Sequence, residues 1–365
     1  MQTVKLLDIC RPKQWKTLSI KNLNPQGKYF VYGANGIIGK YDSYNHIEET
    51  VFITCRGATC GNIHISEKNS YINGNAMCLD ELEQAICHRK YLYYYLKSYD
   101  MSQVISGSAQ PQITIQGLNA VDVVLYDLPK QIKIAKQFDI LQETIDIRNN
   151  QIEQLDQIIA ARFEEMFGKE QAQKHHWDMV ALKDIGEGFI GLTYKPEDVS
   201  TKGIPVLKSG NIRNNRLDLT DLTRVKKAVK DKIKVQENDI LICSRNGSAN
   251  LIGKAALIKE LPEEMTFGAF MTVYRSCYNP YLIHFFHSSY FKKQLHSSST
   301  TTIHQLTKSM LESIVLPMPP EEKRKEFIAF AQQIEKKRKD CVNNLKQMER
   351  IKINLMNTYF TKKGN

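Results

Sequence analysis

The chain has 365 residues, with 50 Lys and Arg against 39 Asp and Glu, and at about 100–200 residues per domain this length allows two or three domains with substantial cores. The length excludes a peptide-sized molecule, a hydrophobic content of 42% and a charged content of 24% match a soluble globular protein and not a disordered one, and the net charge of +11 points to an anionic partner. No stretch nears the roughly 18 consecutive apolar residues of a membrane span, and residues 1–8 lack the apolar core of a secretory leader, so a cytoplasmic protein is expected.

The eight cysteines contain no Cys-x-x-Cys spacing, which argues against a disulfide framework or a zinc site and for small buried side chains. The first unit, residues 1–127, mixes short strands, turns and a few helices. Its segment Tyr32-Gly33-Ala34-Asn35-Gly36-Ile37-Ile38-Gly39-Lys40 has the spacing G-x-x-G-x-x-G, opens no helical pattern and precedes no parallel βαβ unit, so it is not a dinucleotide fingerprint. Residues 51–57, Val-Phe-Ile-Thr-Cys-Arg-Gly, predict a buried strand running into a Gly-containing loop with Arg56 at its mouth. Tyr91-Leu92-Tyr93-Tyr94-Tyr95-Leu96 predicts an aromatic-rich helix. A polar tract follows, Ser106-Gly107-Ser108-Ala109-Gln110-Pro111-Gln112-Ile113-Thr114, then a short apolar strand at 123–125 and Pro129.

Next comes a long periodic helix, expected within residues 128–168. Counting heptads from Phe138, the a positions are Phe138, Ile145, Ile152, Ile159 and Met166, and the d positions are Leu141, Arg148, Leu155 and Arg162. Four heptads of this kind predict a coiled-coil seam. Pro129 suits the first turn, where a missing N–H costs nothing, and Gly168 suits a stop after Phe167.

The second unit, residues 174–317, repeats the order. Ile204-Pro205-Val206-Leu207-Lys208-Ser209-Gly210-Asn211-Ile212-Arg213-Asn214 runs a strand into a polar loop, and Arg245 in Ile240-Leu241-Ile242-Cys243-Ser244-Arg245-Asn246-Gly247 lies 189 positions after Arg56. An aromatic segment at 281–286, a polar tract at 297–305 and Ile314-Val315-Leu316-Pro317-Met318-Pro319-Pro320 follow. A second long helix is expected over 319–360, with a positions Phe327, Ile334, Cys341, Met348 and Leu355 and d positions Phe330, Lys337, Asn344 and Ile351. Arg148 and Lys337 thus share a seam position. Residues 130–170 hold six basic and eight acidic residues, a net of −2, and residues 321–365 hold twelve and six, a net of +6. Opposite signs favour pairing of the two helices with each other.

The chain carries no G-x-x-x-x-G-K-[ST], H-E-x-x-H, G-x-S-x-G or zinc-deaminase signature. Asn279-Pro280-Tyr281 reads as a helix N-cap followed by Pro at the first turn. His284 and His287 read as core or surface residues. No catalytic residue, cofactor or metal is expected. Loops of small polar residues with a base bring backbone N–H groups and Asn, Lys or Arg side chains close to a phosphate or a base edge. Ordinary turn chemistry accounts equally well for any one of them, and their recurrence in both units points to DNA. The candidates are Asn35, Lys40, Arg56, Asn73, Asn75, Gln110 and Gln112 in the first unit. In the second they are Lys208, Ser209, Asn211, Arg213, Arg245, Asn246, Ser248, His304 and Lys308.

Two variable units, each followed by a long helix, resemble the DNA-specificity subunit of a Type I restriction-modification system. The local markers are residues 32–39, Arg56-Gly57-Ala58-Thr59-Cys60-Gly61, residues 204–212 and Leu316-Pro317-Met318-Pro319-Pro320. The resemblance implies an α+β fold: two mixed α/β target-recognition domains joined by two long helices forming an antiparallel coiled coil, in a pseudo-two-fold internal repeat. It implies a non-catalytic subunit that reads a bipartite, asymmetric site in double-stranded DNA. The implied partners are two adenine methyltransferase subunits, which carry the cofactor, and restriction/translocase subunits. Two readings compete with it. A coiled-coil scaffold would show no sequence-dependent DNA affinity, and a DNA-modifying enzyme with an unrecognised active site would turn over alone.

Overall fold

The computed structural model describes residues 2–107, 110–297 and 305–361. The fold is α+β, and the chain divides into two compact units, Met1–Asn150 with Val342–Asn365, and Gln151–Cys341.

In the first unit Val51–Thr54 is central in a four-stranded antiparallel sheet with the order Arg11–Lys13, Ala76–Asp80, Val51–Thr54, Ile63–Ile65. All four residues of this central strand are buried, which is why Val51-Phe52-Ile53 is a continuous apolar run with no alternation. Tyr29–Gly33 pairs with Gly36–Tyr41 across the two-residue turn Ala34-Asn35, and runs parallel to Tyr71–Ile72. Gly36 at φ 109° allows that turn. Helix Arg89–Ser98 buries Tyr91, Leu92, Tyr94, Tyr95 and Leu96. Tyr91 and Tyr95 donate their hydroxyls to the carbonyls of Val124 and Asp122, so the aromatic run is core with satisfied polar tips.

The second unit repeats this plan. Ile240–Cys243, also fully buried, is central in the order Glu187–Ile190, Met271–Arg275, Ile240–Cys243, Ala255–Leu257. Ile204–Leu207 runs parallel to Thr266–Phe267, as Tyr29–Gly33 does to Tyr71–Ile72. Gln2–Lys5 pairs with Asp122–Leu125 in the first unit, and Met179–Ala181 pairs with Val315–Pro317 in the second.

The long helices are Leu128–Phe167 and Glu321–Phe360, of 40 residues each, or about 60 Å at 1.5 Å per residue. They pair antiparallel within each unit. In the first unit, Tyr359 donates to Gln137 and Lys352 to Gln142, so one number rises as the other falls. In the second, Asp156 meets Arg338 at 2.9 Å and Arg162 meets Glu326 at 3.4 Å. Phe138 stacks on Phe360 and Phe163 meets Phe327 edge-on, each pair joining its own unit's core.

The heptad frame of the second helix needs correction. Phe327, Ile334, Cys341, Met348 and Leu355 do face inward, and Phe330 is partly covered with the Arg162 guanidinium 5.9 Å from its ring, but Lys337, Asn344 and Ile351 are exposed. The covered positions alternating with the a set are Ala331, Arg338, Leu345, Lys352 and Tyr359, four residues on and not three. Lys337 is therefore no seam residue. Gly168 does follow the helix end, but at φ −59°, so left-handed backbone is not the reason. A Cβ there would lie 2.5 Å from the Glu164 carbonyl oxygen.

Asn279 is not an N-cap. It opens the helix Asn279–His287 with its side chain buried, donating to the carbonyls of Asn238 and Tyr274. His284 packs against the rings of Phe163 and Phe327, and burial pushes it down to about 3. Five cysteines, Cys10, Cys55, Cys78, Cys87 and Cys243, are buried. No described helix is long and apolar enough to cross a membrane.

Candidate nucleic-acid interface

In the first unit the strand Val51–Thr54 delivers Cys55 and Arg56 to a loop end built by three chain segments. Ile113 N–H donates to Cys55 O (3.0 Å), Cys55 N–H to Asn75 O (3.2 Å), and Gly57 N–H to Pro111 O (3.3 Å). Ser106 and Gln112 exchange two backbone hydrogen bonds, and Arg56 forms a bridge with Gln112. This brings Arg56, Asn75, Gln110 and Gln112 together, all four exposed. The Thr54 hydroxyl donates to the carbonyl of Ala34, which ties the turn carrying the exposed Asn35 to the same strand. Lys40 lies further down that hairpin, opposite Phe30, with its ammonium 5.5 Å from the ring.

The second unit builds the matching end. Arg245 N–H donates to Phe270 O (3.0 Å), Leu306 N–H to Ser244 O (2.7 Å), and Arg245 bridges to Gln305. The Arg245 guanidinium donates to Gln305 Oε1 at 2.7 Å and lies 5.6 Å from the Phe270 ring, which is 59% exposed. Asn246 reaches Ser209 (3.3 Å) through its amide nitrogen and accepts from Ser248 N–H through its oxygen, so these three candidates adjoin Arg245.

Other candidates are already engaged within the protein. Asn73, expected to contact DNA, is buried, accepting from the N–H groups of Leu18 and Gly74 and donating to Leu18 O. Asn211 is likewise buried, accepting from Lys208 N–H and donating to the carbonyls of Asp218 and Asp221. Both amides hold loops in shape and present no free edge to a base. Lys208 donates to the Thr223 hydroxyl, Arg213 pairs with Asp218 (3.1 Å), and Lys308 pairs with Glu187 and Glu312. His304 lies outside the described residues.

Two contributors were missed by sequence reasoning, Gln305 and Phe270. Gln305 stood in view at the end of the polar tract. Phe270 had no signal, because an aromatic in a turn looks like any other hydrophobic residue. What the two loop ends offer chemically is a fork of guanidinium donors, amide donor–acceptor pairs and one exposed aromatic face. Those are the groups that read base edges in a groove.

A family model described as the Type I restriction modification DNA specificity domain matches residues 1–157 and 174–354. The chain is 31% identical over 153 residues to the EcoKI specificity subunit of Escherichia coli strain K12, a Type I restriction enzyme subunit. It is 33% identical over 152 residues to the StySPI specificity subunit of Salmonella potsdam. These matches cover 40% and 39% of this chain and 33% of each relative, so they span a third of the length of the curated relatives. In fold, the chain resembles the crystal structure of a Type-I restriction-modification system S subunit from M. genitalium, with a TM-score of 0.63 at 18% identity, covering 100% of this chain and 96% of that one.

Proposed function

The chain belongs to the Type I restriction-modification DNA specificity family, and on that premise we propose that it is the non-catalytic subunit that directs a Type I complex to its DNA site. Residues 1–127 and 174–317 act as two target-recognition domains, and the long helices at 128–168 and 319–360 act as the spacer between them. Two adenine methyltransferase subunits, and restriction/translocase subunits where the system has them, assemble on this chain in the cytoplasm. The target is bipartite and asymmetric, since the loops of the two domains differ in sequence. Two-fold readers place half-sites about 34–36 Å apart, one turn of DNA.

One observation carries this reading. Each unit ends a fully buried strand in an exposed Arg, Arg56 or Arg245, bridged to a Gln of the following polar tract, Gln112 or Gln305. Arg and Gln are side chains that pair in bidentate fashion with guanine and adenine edges. The excess of positive charge supplies phosphate attraction in addition.

The test is reconstitution. The full chain with duplex DNA and S-adenosylmethionine should transfer no methyl group. Addition of a Type I adenine methyltransferase subunit that assembles with it should give methylation at one bipartite motif. Turnover by the chain alone, or a motif unchanged when this chain is exchanged for a relative, would overturn the proposal.

A further inference from the structure

The backbone hydrogen bonds match the two units residue by residue where the side chains do not. In the first unit Asn73 N–H donates to Tyr32 O (2.9 Å), Ala76 N–H closes a tight turn on Asn73 O (3.0 Å), and Asn75 O accepts from Cys55 N–H. In the second, Gly268 N–H donates to Leu207 O (2.9 Å), Met271 N–H closes the turn on Gly268 O (2.9 Å), and Phe270 O accepts from Ser244 N–H (3.0 Å). Tyr32 and Leu207 hold the same register against their parallel neighbours, Ile72 and Phe267. Cys55 and Ser244 directly precede Arg56 and Arg245. Asn75 and Phe270 are therefore the third residues of one and the same turn.

Each loop end thus presents three equivalent side chains. Two are identical, Arg56 with Arg245 and Gln112 with Gln305. The third is an exposed amide in one unit and an exposed phenyl ring in the other. An Asn amide matches the N6 donor and N7 acceptor of adenine, whereas a phenyl ring makes no hydrogen bond and suits the thymine methyl group, the apolar feature of the major groove.

We infer that this turn position determines specificity in both units, Asn75 reading an adenine and Phe270 packing on a thymine methyl group, so that the half-sites differ there. The inference rests on the DNA reading proposed above and adds to it the residues that make the two halves unlike.

The experiment presents a randomised duplex library to the full chain, to Phe270→Asn and to Phe270→Ala, and reads the recovered sequences. Thermal melting of each variant at the wild-type midpoint establishes that it is folded. The wild type should enrich a bipartite motif. Phe270→Asn should change the preferred base pair at one position of one half toward adenine, by about tenfold, and leave the other half alone. Deoxyuridine in place of the contacted thymine should weaken wild-type binding about fourfold, the worth of one buried methyl, and should not weaken Phe270→Ala further. An enriched motif that Phe270→Asn leaves unchanged, or wild-type affinity indifferent to deoxyuridine at every thymine of that half, would overturn the assignment of the turn position. No enriched motif at all would overturn the DNA reading itself.

Discussion

Arg245 is braced on two sides, by Gln305 Oε1 at 2.7 Å and by the Phe270 ring at 5.6 Å, so its fork is aimed with little rotamer freedom left to lose. If it reads a guanine, Arg245→Ala should weaken discrimination at one half-site by about 1–3 kcal/mol, and Arg56→Ala should do the same at the other. Competition binding against single-base variants of the site checks this; an equal loss on every sequence would reassign these residues to phosphates. His284 makes a separate prediction. Its folded value near 3, set mainly by burial, lies below the ordinary 6.5, so between those values the unfolded chain takes up a proton that the folded chain refuses. Stability therefore falls as pH falls through that window, by about 2 kcal/mol at pH 5. His284→Phe should show a smaller drop in melting temperature between pH 7 and pH 5 than wild type, and an equal drop would contradict it. At this scale the arginines were legible because a buried strand followed by Arg recurs. The roles of Asn73 and Asn211 were not. A sequence shows that an amide is present but not that three backbone groups already occupy it.

The two long helices were legible as elements because every a position is apolar, yet only one edge of the second helix's seam could be read that way. Its other edge is Ala331, Arg338, Leu345, Lys352 and Tyr359, mostly small, charged or polar, so periodicity passed over it. Arg338 explains how a charge sits there. Its Nε is 2.9 Å from Asp156 Oδ1, and the same carboxylate oxygen takes Arg216 at 2.7 Å, while Arg216 also meets Glu335. Arg216 closes a hairpin with Arg213 across Asn214 and Asn215, both at positive φ as a two-residue primed turn requires. Asp156→Ala would leave two partly covered guanidinium groups without this carboxylate and should cost about 1–3 kcal/mol. Lys337→Ala, on the exposed side, should stay within about 0.5 kcal/mol. Thermal melting of the two variants checks the seam; a larger loss in Lys337→Ala than in Asp156→Ala would restore the original frame.

For the whole molecule, the repeat was visible as an offset of 189 from Arg56 to Arg245, held through the heptads from Phe138 to Phe327. It was invisible in the turns, where Asn75 and Phe270 stand 195 apart and the segments share no identity, because loop lengths differ while strand pairing is conserved by hydrogen bonding. If the helices are the spacer, inserting seven residues at facing points of both should alter the gap between half-sites, and an unaltered gap would refute that role. The most direct measurement is methylome sequencing of a strain whose adenine methyltransferase is directed by this chain alone. A single motif of two unlike halves separated by unread bases is the predicted result. A palindromic or uninterrupted motif, or methylation without any motif, would contradict a chain built as two different readers on one frame.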